Sequence, residues 1–159
     1  MRPIRLAAGA AVALCLLLLA GCSGSGSSAS STTSSSVAAT TTISSDPCRA
    51  GYQAAAARLN SVARNFAVAA QNGQMNDQFA GFAANYREAM TTFNTTVSAL
   101  PCSGTVKEDI AQLVAAQTRL EPLVAQFAAG QRPPVAEFNA ATSAVADAVK
   151  RLNAALGIG

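Results

Sequence analysis

Apolar residues recur at alternating steps of three and four residues in four segments between residues 46 and 159. This spacing gathers them on one face of an α-helix and is typical of helices packed at a shallow crossing angle. Because the connections between segments are only a few residues long, consecutive helices are expected to run antiparallel. The sequence therefore predicts an all-α, up-down-up-down antiparallel four-helix bundle, with helices at about residues 47–72, 77–100, 105–129 and 134–156.

Helix start signals stand at the boundaries of these segments. Asp46 can cap the first helix, and Pro47 is favoured at its first position. Thr105 and Glu108 match the capping-box pattern, which predicts that the third helix begins at this point. Pro122 lies inside the third segment, where its missing N–H and its ring are expected to kink or split the helix.

Some apolar residues lie at the end of a predicted buried face or beside one. Val135 is the first apolar residue on the predicted buried face of the fourth helix. Four more apolar residues flank the faces, and these are Val68, Phe82, Val114 and Leu123. They most simply widen the buried stripe of each helix, whereas a cluster of them at the surface would mark a contact site.

Three residues with polar groups interrupt the apolar faces: Tyr86, Gln117 and Thr142. Counted from the predicted turns, their axial offsets differ by only about 3 to 5 Å, which predicts that they meet in one mid-bundle layer. A sealed layer with internal hydrogen bonds would fix the register of the helices. A layer that opens onto a pocket would instead be a polar spot for binding a ligand.

Two cysteines fall within the helical region. Cys48 lies about 26 residues before the first predicted turn and Cys102 about 28 after it, so a hairpin of straight helices brings both to the same end. The sequence therefore predicts a Cys48–Cys102 disulfide. The alternatives are two free thiols or a metal pair, and a chain without histidine is a poor candidate for the latter.

The N-terminal residues have the features of an export signal. Arg2 and Arg5 precede an apolar run from Leu6 to Leu19, which is too short for a comfortable membrane span. The run ends in Leu-Ala-Gly-Cys at positions 19–22, which resembles the lipobox of bacterial lipoproteins. This resemblance implies that residues 1–21 are removed and that the Cys22 thiol carries a diacylglyceryl group.

Residues 23–45 consist almost entirely of Ser, Thr, Gly and Ala. Such a segment buries too little apolar area to offset its ordering entropy, so residues 22–45 are predicted to be a lipidated cysteine and a disordered tether. The tether would span roughly 25 to 30 Å. The layout resembles that of actinobacterial lipoproteins, which implies a domain of residues 46–159 at the extracytoplasmic face of the cell membrane.

The side chains available for chemistry are few. The whole chain has no histidine, the most common general base and metal ligand. Several of its eight acidic residues fall at predicted helix starts, including Asp46, Asp77 and Glu108. Their negative charge interacts favourably with the helix dipole there. We therefore expect no enzyme activity, no cofactor and no metal. Once Arg2 and Arg5 are removed with the signal segment, nine of the eleven basic residues remain, against eight acidic ones. This nearly neutral balance does not predict binding to nucleic acid, which requires a concentrated basic surface.

Two functional hypotheses follow from the sequence. The first is a structural or interaction module that docks on an envelope protein, and a closed seam of alanines would favour it. The second is a carrier for a small apolar or lipid ligand, which an open apolar cleft lined by large residues would favour.

The lipobox resemblance predicts the outcome of removing one thiol. Cys22→Ala should leave no site for the lipid, so the variant should be released from the membrane or mislocalised. Detergent phase partitioning and the mass of the mature protein measure this. A variant that stays membrane-bound at normal mass would show that Cys22 is not the anchor.

Overall fold

The computed structural model describes residues 46–71 and 75–158. Within these ranges the chain forms four α-helices and no strand. We number them α1 (Pro47–Gln71), α2 (Asp77–Ser98), α3 (Gly104–Ala128) and α4 (Val135–Ala155). The all-α prediction is confirmed, while the signal segment, Cys22 and the tether lie outside the described residues.

Local capping bonds define the starts of the first two helices. The Asp46 carboxylate accepts a hydrogen bond from the backbone N–H of Cys48 at 3.0 Å, so Asp46 caps α1 as predicted. At the start of α2, the Asn76 side-chain oxygen accepts from the N–H of Phe79 at 2.9 Å. Each bond satisfies one of the N–H groups that have no partner within the helix.

The start of α3 differs from the prediction, and of the two outcomes predicted for Pro122 the split does not occur. The helix begins at Gly104, with Ser103 as the N-cap and no side-chain capping bond, so the predicted capping box at Thr105 is wrong. Gly104 has a φ of 57°, a left-handed conformation that glycine adopts at low cost. The helix also continues through Pro122 and is not split.

The end of α3 is closed by a glycine turn. Gly130 has a φ of 71°, and its N–H donates to the carbonyl of Phe127. The N–H of Gln131 donates to the carbonyl of Gln126 at 2.8 Å. This pair of bonds is a Schellman motif, which satisfies carbonyls at the helix end and turns the chain toward α4.

The core consists mainly of the predicted apolar faces. Its fully buried members include Met90, Leu113 and Leu152, one from each of three helices. Val135 is an exception, since it is 61% exposed and the prediction of its burial is wrong. Val135 is the first residue of α4 and follows the connection from α3, which ends at Ala128. A residue at a helix end has fewer neighbours to cover it than one in the middle.

The four flanking apolar residues have different environments. Leu123 is buried, Phe82 and Val114 are half-buried, and Val68 is 60% exposed. Leu123 therefore widens the buried stripe of α3 as predicted. Val68 does not widen the stripe of α1.

Cys48 and Cys102 form a disulfide, with their Cα atoms 5.1 Å apart, which confirms the predicted pairing. Cys48 lies at the start of α1 and Cys102 just before α3, so the bond links the start of α1 to the segment between α2 and α3. Cys48 is also buried and belongs to the hydrophobic core.

Removing this disulfide should lower the free energy of unfolding. The two cysteines are 54 residues apart, and closing a loop of that size stabilises the folded state by about 4 kcal/mol. Urea unfolding of the Cys48→Ala/Cys102→Ala variant measures the loss, and the unaltered chain with reductant is its control. A loss below about 1 kcal/mol would contradict the prediction.

Candidate functional site

The four helices do not close into a ring at the level of the backbone. Successive helices contact each other, whereas no Cα atom of the described α1 lies within 8 Å of a Cα atom of α4. Closely packed helices have axes 8–10 Å apart, and their nearest Cα atoms approach more closely than that. A gap therefore separates α1 from α4.

This gap leads to a cavity of about 80 Å³. All four helices line it, and on α4 its wall follows one face from Phe138 to Val149. At 1.5 Å per residue that face is about 16 Å long. The cavity is therefore an elongated space between the two helices.

Small residues on α1 account for the gap. Ala56, Asn60, Ala63 and Ala67 line the cavity at steps of four, three and four residues. They form a second stripe beside the predicted apolar face, and three of the four are alanines. A stripe of such short side chains cannot fill the space to α4, so packing there is incomplete.

Aromatic side chains pack together beside one end of the cavity, and three of them, Phe66, Tyr86 and Phe138, line it. Phe66 of α1 lies between Phe79 and Tyr86 of α2, with ring centroids 5.4 and 5.3 Å away. Phe127 of α3 contacts Phe66 at 5.9 Å and Phe138 of α4 at 5.4 Å. We call these five residues the aromatic cluster, and it joins all four helices.

The three residues of the predicted polar layer, Tyr86, Gln117 and Thr142, all line this cavity. Gln117 and Thr142 are buried, and Tyr86 is half-buried with its ring stacked on Phe66. The Thr142 hydroxyl lies 3.0 and 2.9 Å from the carbonyl oxygens of Phe138 and Asn139 in its own helix. The structure thus brings the three residues to one site.

Gln117 has the most unusual environment of the three. Its side chain is buried with 3% exposure, and its Oε1 has no hydrogen-bond partner among the described residues. Buried polar atoms in folded proteins nearly always have a partner, since leaving one unpaired costs about 1–3 kcal/mol. Because Gln117 lines the cavity, an acceptor without a partner among the described residues belongs to its wall.

Sequence reasoning missed Asn60 and Tyr52 as cavity residues. Asn60 directly follows Leu59 and is not on the predicted apolar face of the first helix. The stripe of alanines at its own helical spacing was the signal that could have revealed it. Tyr52 lies on the apolar face of the first helix, as the three- and four-residue spacing predicts, and it also lines the cavity.

The cavity holds no ionised side chain. No Asp, Glu, Lys or Arg is among its lining residues, and its two tyrosines are neutral at ordinary pH. Burial raises the pKa of Tyr52 to about 12 because the phenolate loses its hydration there. Within residues 46–71 and 75–158, no group of three His, Cys, Asp or Glu side chains could hold a metal ion.

The chain has no match among known protein families, curated proteins or solved structures. In the described part of the chain, no helix combines the length and apolarity needed to cross a membrane.

The raised pKa of Tyr52 predicts a late ionisation. The chain has two tyrosines, so Tyr86→Phe leaves Tyr52 alone, and its tyrosinate absorbance should appear with a midpoint near pH 12. In denaturant the midpoint should return to about 10. A folded-state midpoint near 10 would mean that Tyr52 is solvated.

The same shift makes stability depend on pH. The folded chain holds the Tyr52 proton more tightly than the unfolded chain, so this contribution is complete below pH 10 and is lost as pH rises toward 12. Tyr52→Phe should remove that part of the alkaline loss of stability.

Proposed function

We propose that this chain is an exported lipoprotein whose helical domain binds a small, mostly apolar molecule between α1 and α4. The observation that carries the proposal is the buried Oε1 of Gln117, which has no hydrogen-bond partner among the described residues and belongs to a residue lining a mainly apolar cavity. Binding sites for small molecules are typically apolar spaces with a few polar groups that orient the ligand.

The proposal includes an up-down-up-down antiparallel arrangement of the helices. Its support comes from pairs of rings near helix ends. Tyr52 near the start of α1 lies 6.3 Å from Phe93 near the end of α2, and Phe66 near the end of α1 lies 5.4 Å from Phe79 at the start of α2. Phe127 and Phe138 lie 5.4 Å apart across the connection between α3 and α4.

Attachment to the cell membrane, on its extracytoplasmic face, rests on the N-terminal sequence. The lipobox-like residues 19–22 and the Ser/Thr-rich residues 23–45 support a lipid on Cys22 and a tether behind it. A domain held near the bilayer by such a tether would meet membrane-derived apolar molecules at high local concentration.

The competing proposal is a structural or interaction module for an envelope protein. A fully packed seam between α1 and α4 would favour it, and the cavity argues for a ligand instead. A register role for Gln117 would require a hydrogen-bonded amide, whereas its Oε1 has no partner among the described residues. The absence of ionised residues in the lining supports a binding role over catalysis.

Filling the cavity should abolish binding. Ala146 of α4 lines the cavity, and Ala140 of the same helix is exposed, so replacing each by Leu gives a matched pair. With n-hexanol as the probe, Ala146→Leu should weaken binding on the order of tenfold because the added atoms occupy the ligand's space. Ala140→Leu should bind like the unaltered chain.

Methyl NMR of the full chain in phospholipid nanodiscs measures this binding. Shifts of Leu120 and Val145, which line the cavity, report occupancy, and the free hexanol concentration is measured in the aqueous phase. If hexanol does not shift these methyl signals, or shifts them equally in both variants, the cavity is not a ligand site.

A further inference from the structure

We propose that the ligand is an uncharged, linear amphiphile whose hydroxyl or N–H group donates a hydrogen bond to Oε1 of Gln117. This inference rests on the proposed binding function and specifies the chemical class of the ligand. Three properties of the cavity lead to it: its charge, the hydrogen-bonding groups that it presents, and its shape.

The lining of the cavity excludes a charged group at the buried end of the ligand. None of the lining residues is ionised, so a buried carboxylate, phosphate or ammonium would have no counter-charge. Burying an unpaired charge is far more costly than burying a neutral polar group with a hydrogen-bond partner. The polar end of the ligand inside the cavity must therefore be neutral.

The hydrogen-bonding groups favour a donor on the ligand. Gln117 presents a carbonyl oxygen that is buried and lacks a partner among the described residues. The Thr142 hydroxyl, by contrast, lies at hydrogen-bond distance from two carbonyl oxygens of its own helix. A ligand hydroxyl or N–H near the middle of α3 would satisfy the open acceptor of Gln117.

The shape of the cavity favours a chain over a ring system. The cavity is narrow, with a volume of about 80 Å³. Its wall on α4 nevertheless runs for about 16 Å, from Phe138 to Val149. A narrow, long space fits an alkyl chain lying along the gap between α1 and α4.

A series of matched probes tests each part of this inference on the full chain in phospholipid nanodiscs. The probes have equal numbers of heavy atoms: n-hexanol, its isomer methyl pentyl ether, n-heptane and n-hexylammonium. Hexanol should bind roughly 3- to 10-fold more tightly than its isomer, the ether, which is the value of one net hydrogen bond, and heptane is the reference without a polar group. Hexylammonium should bind most weakly, since its charge has no partner in the cavity.

Substitution of Gln117 identifies the acceptor. Gln117→Met keeps the unbranched shape and removes the amide, so the advantage of hexanol over the ether should disappear while heptane binding stays the same or improves. Gln112→Met, an exposed glutamine on the same helix, is the control and should leave the series unchanged. The probe series in the unaltered chain remains decisive even if Gln117→Met does not fold.

Each failure has a distinct meaning. Equal binding of hexanol and the ether would overturn the hydrogen-bond donor, and strong binding of hexylammonium would overturn the uncharged ligand, while the proposed binding function would stand in both cases. Retention of the hexanol advantage in Gln117→Met would exclude Gln117 as the acceptor. If no member of the series binds, this inference and the proposed function fail together.

Discussion

The aromatic cluster is the contact on which the arrangement of the helices depends. α1 and α4 have no close backbone contact in the described ranges, yet both belong to one hydrophobic core. Phe127 of α3 lies against Phe66 of α1 on one side and Phe138 of α4 on the other. Large rings can bridge a distance that alanines cannot, and ring pairs at 5–6 Å add directional attraction to the buried area.

The cavity exists because the aromatic cluster connects α1 to α4 only near the end of α1. Phe66 is 18 residues beyond Cys48 on α1, which is about 27 Å along the helix, so the cluster and the disulfide hold distant parts of the domain. The disulfide ties α1 to the connection before α3 and does not involve α4. Between the two, the stripe that contains Ala56 and Ala63 lines the cavity, and its short side chains leave space between α1 and α4.

The sequence predicted the helices well because helical periodicity and capping are local properties. Asp46 caps α1 through a bond within three residues, and the disulfide follows from counting along straight helices. The cavity could not be predicted in this way, since it depends on the distance between helices that are far apart in sequence. Asn60 illustrates the limit, because its position beside Leu59 does not reveal whether another helix covers it.

Gln117 links the fold to the proposed function through its energetic cost. A glutamine that only sets register would be expected to have its carbonyl satisfied within the protein, as buried amides generally do. An open acceptor instead lowers the stability of the empty domain and is compensated when a donor arrives, so the same group that costs stability without a ligand favours binding. A methionine at position 117 would fill the same space without this cost, so packing alone gives no reason for an amide there.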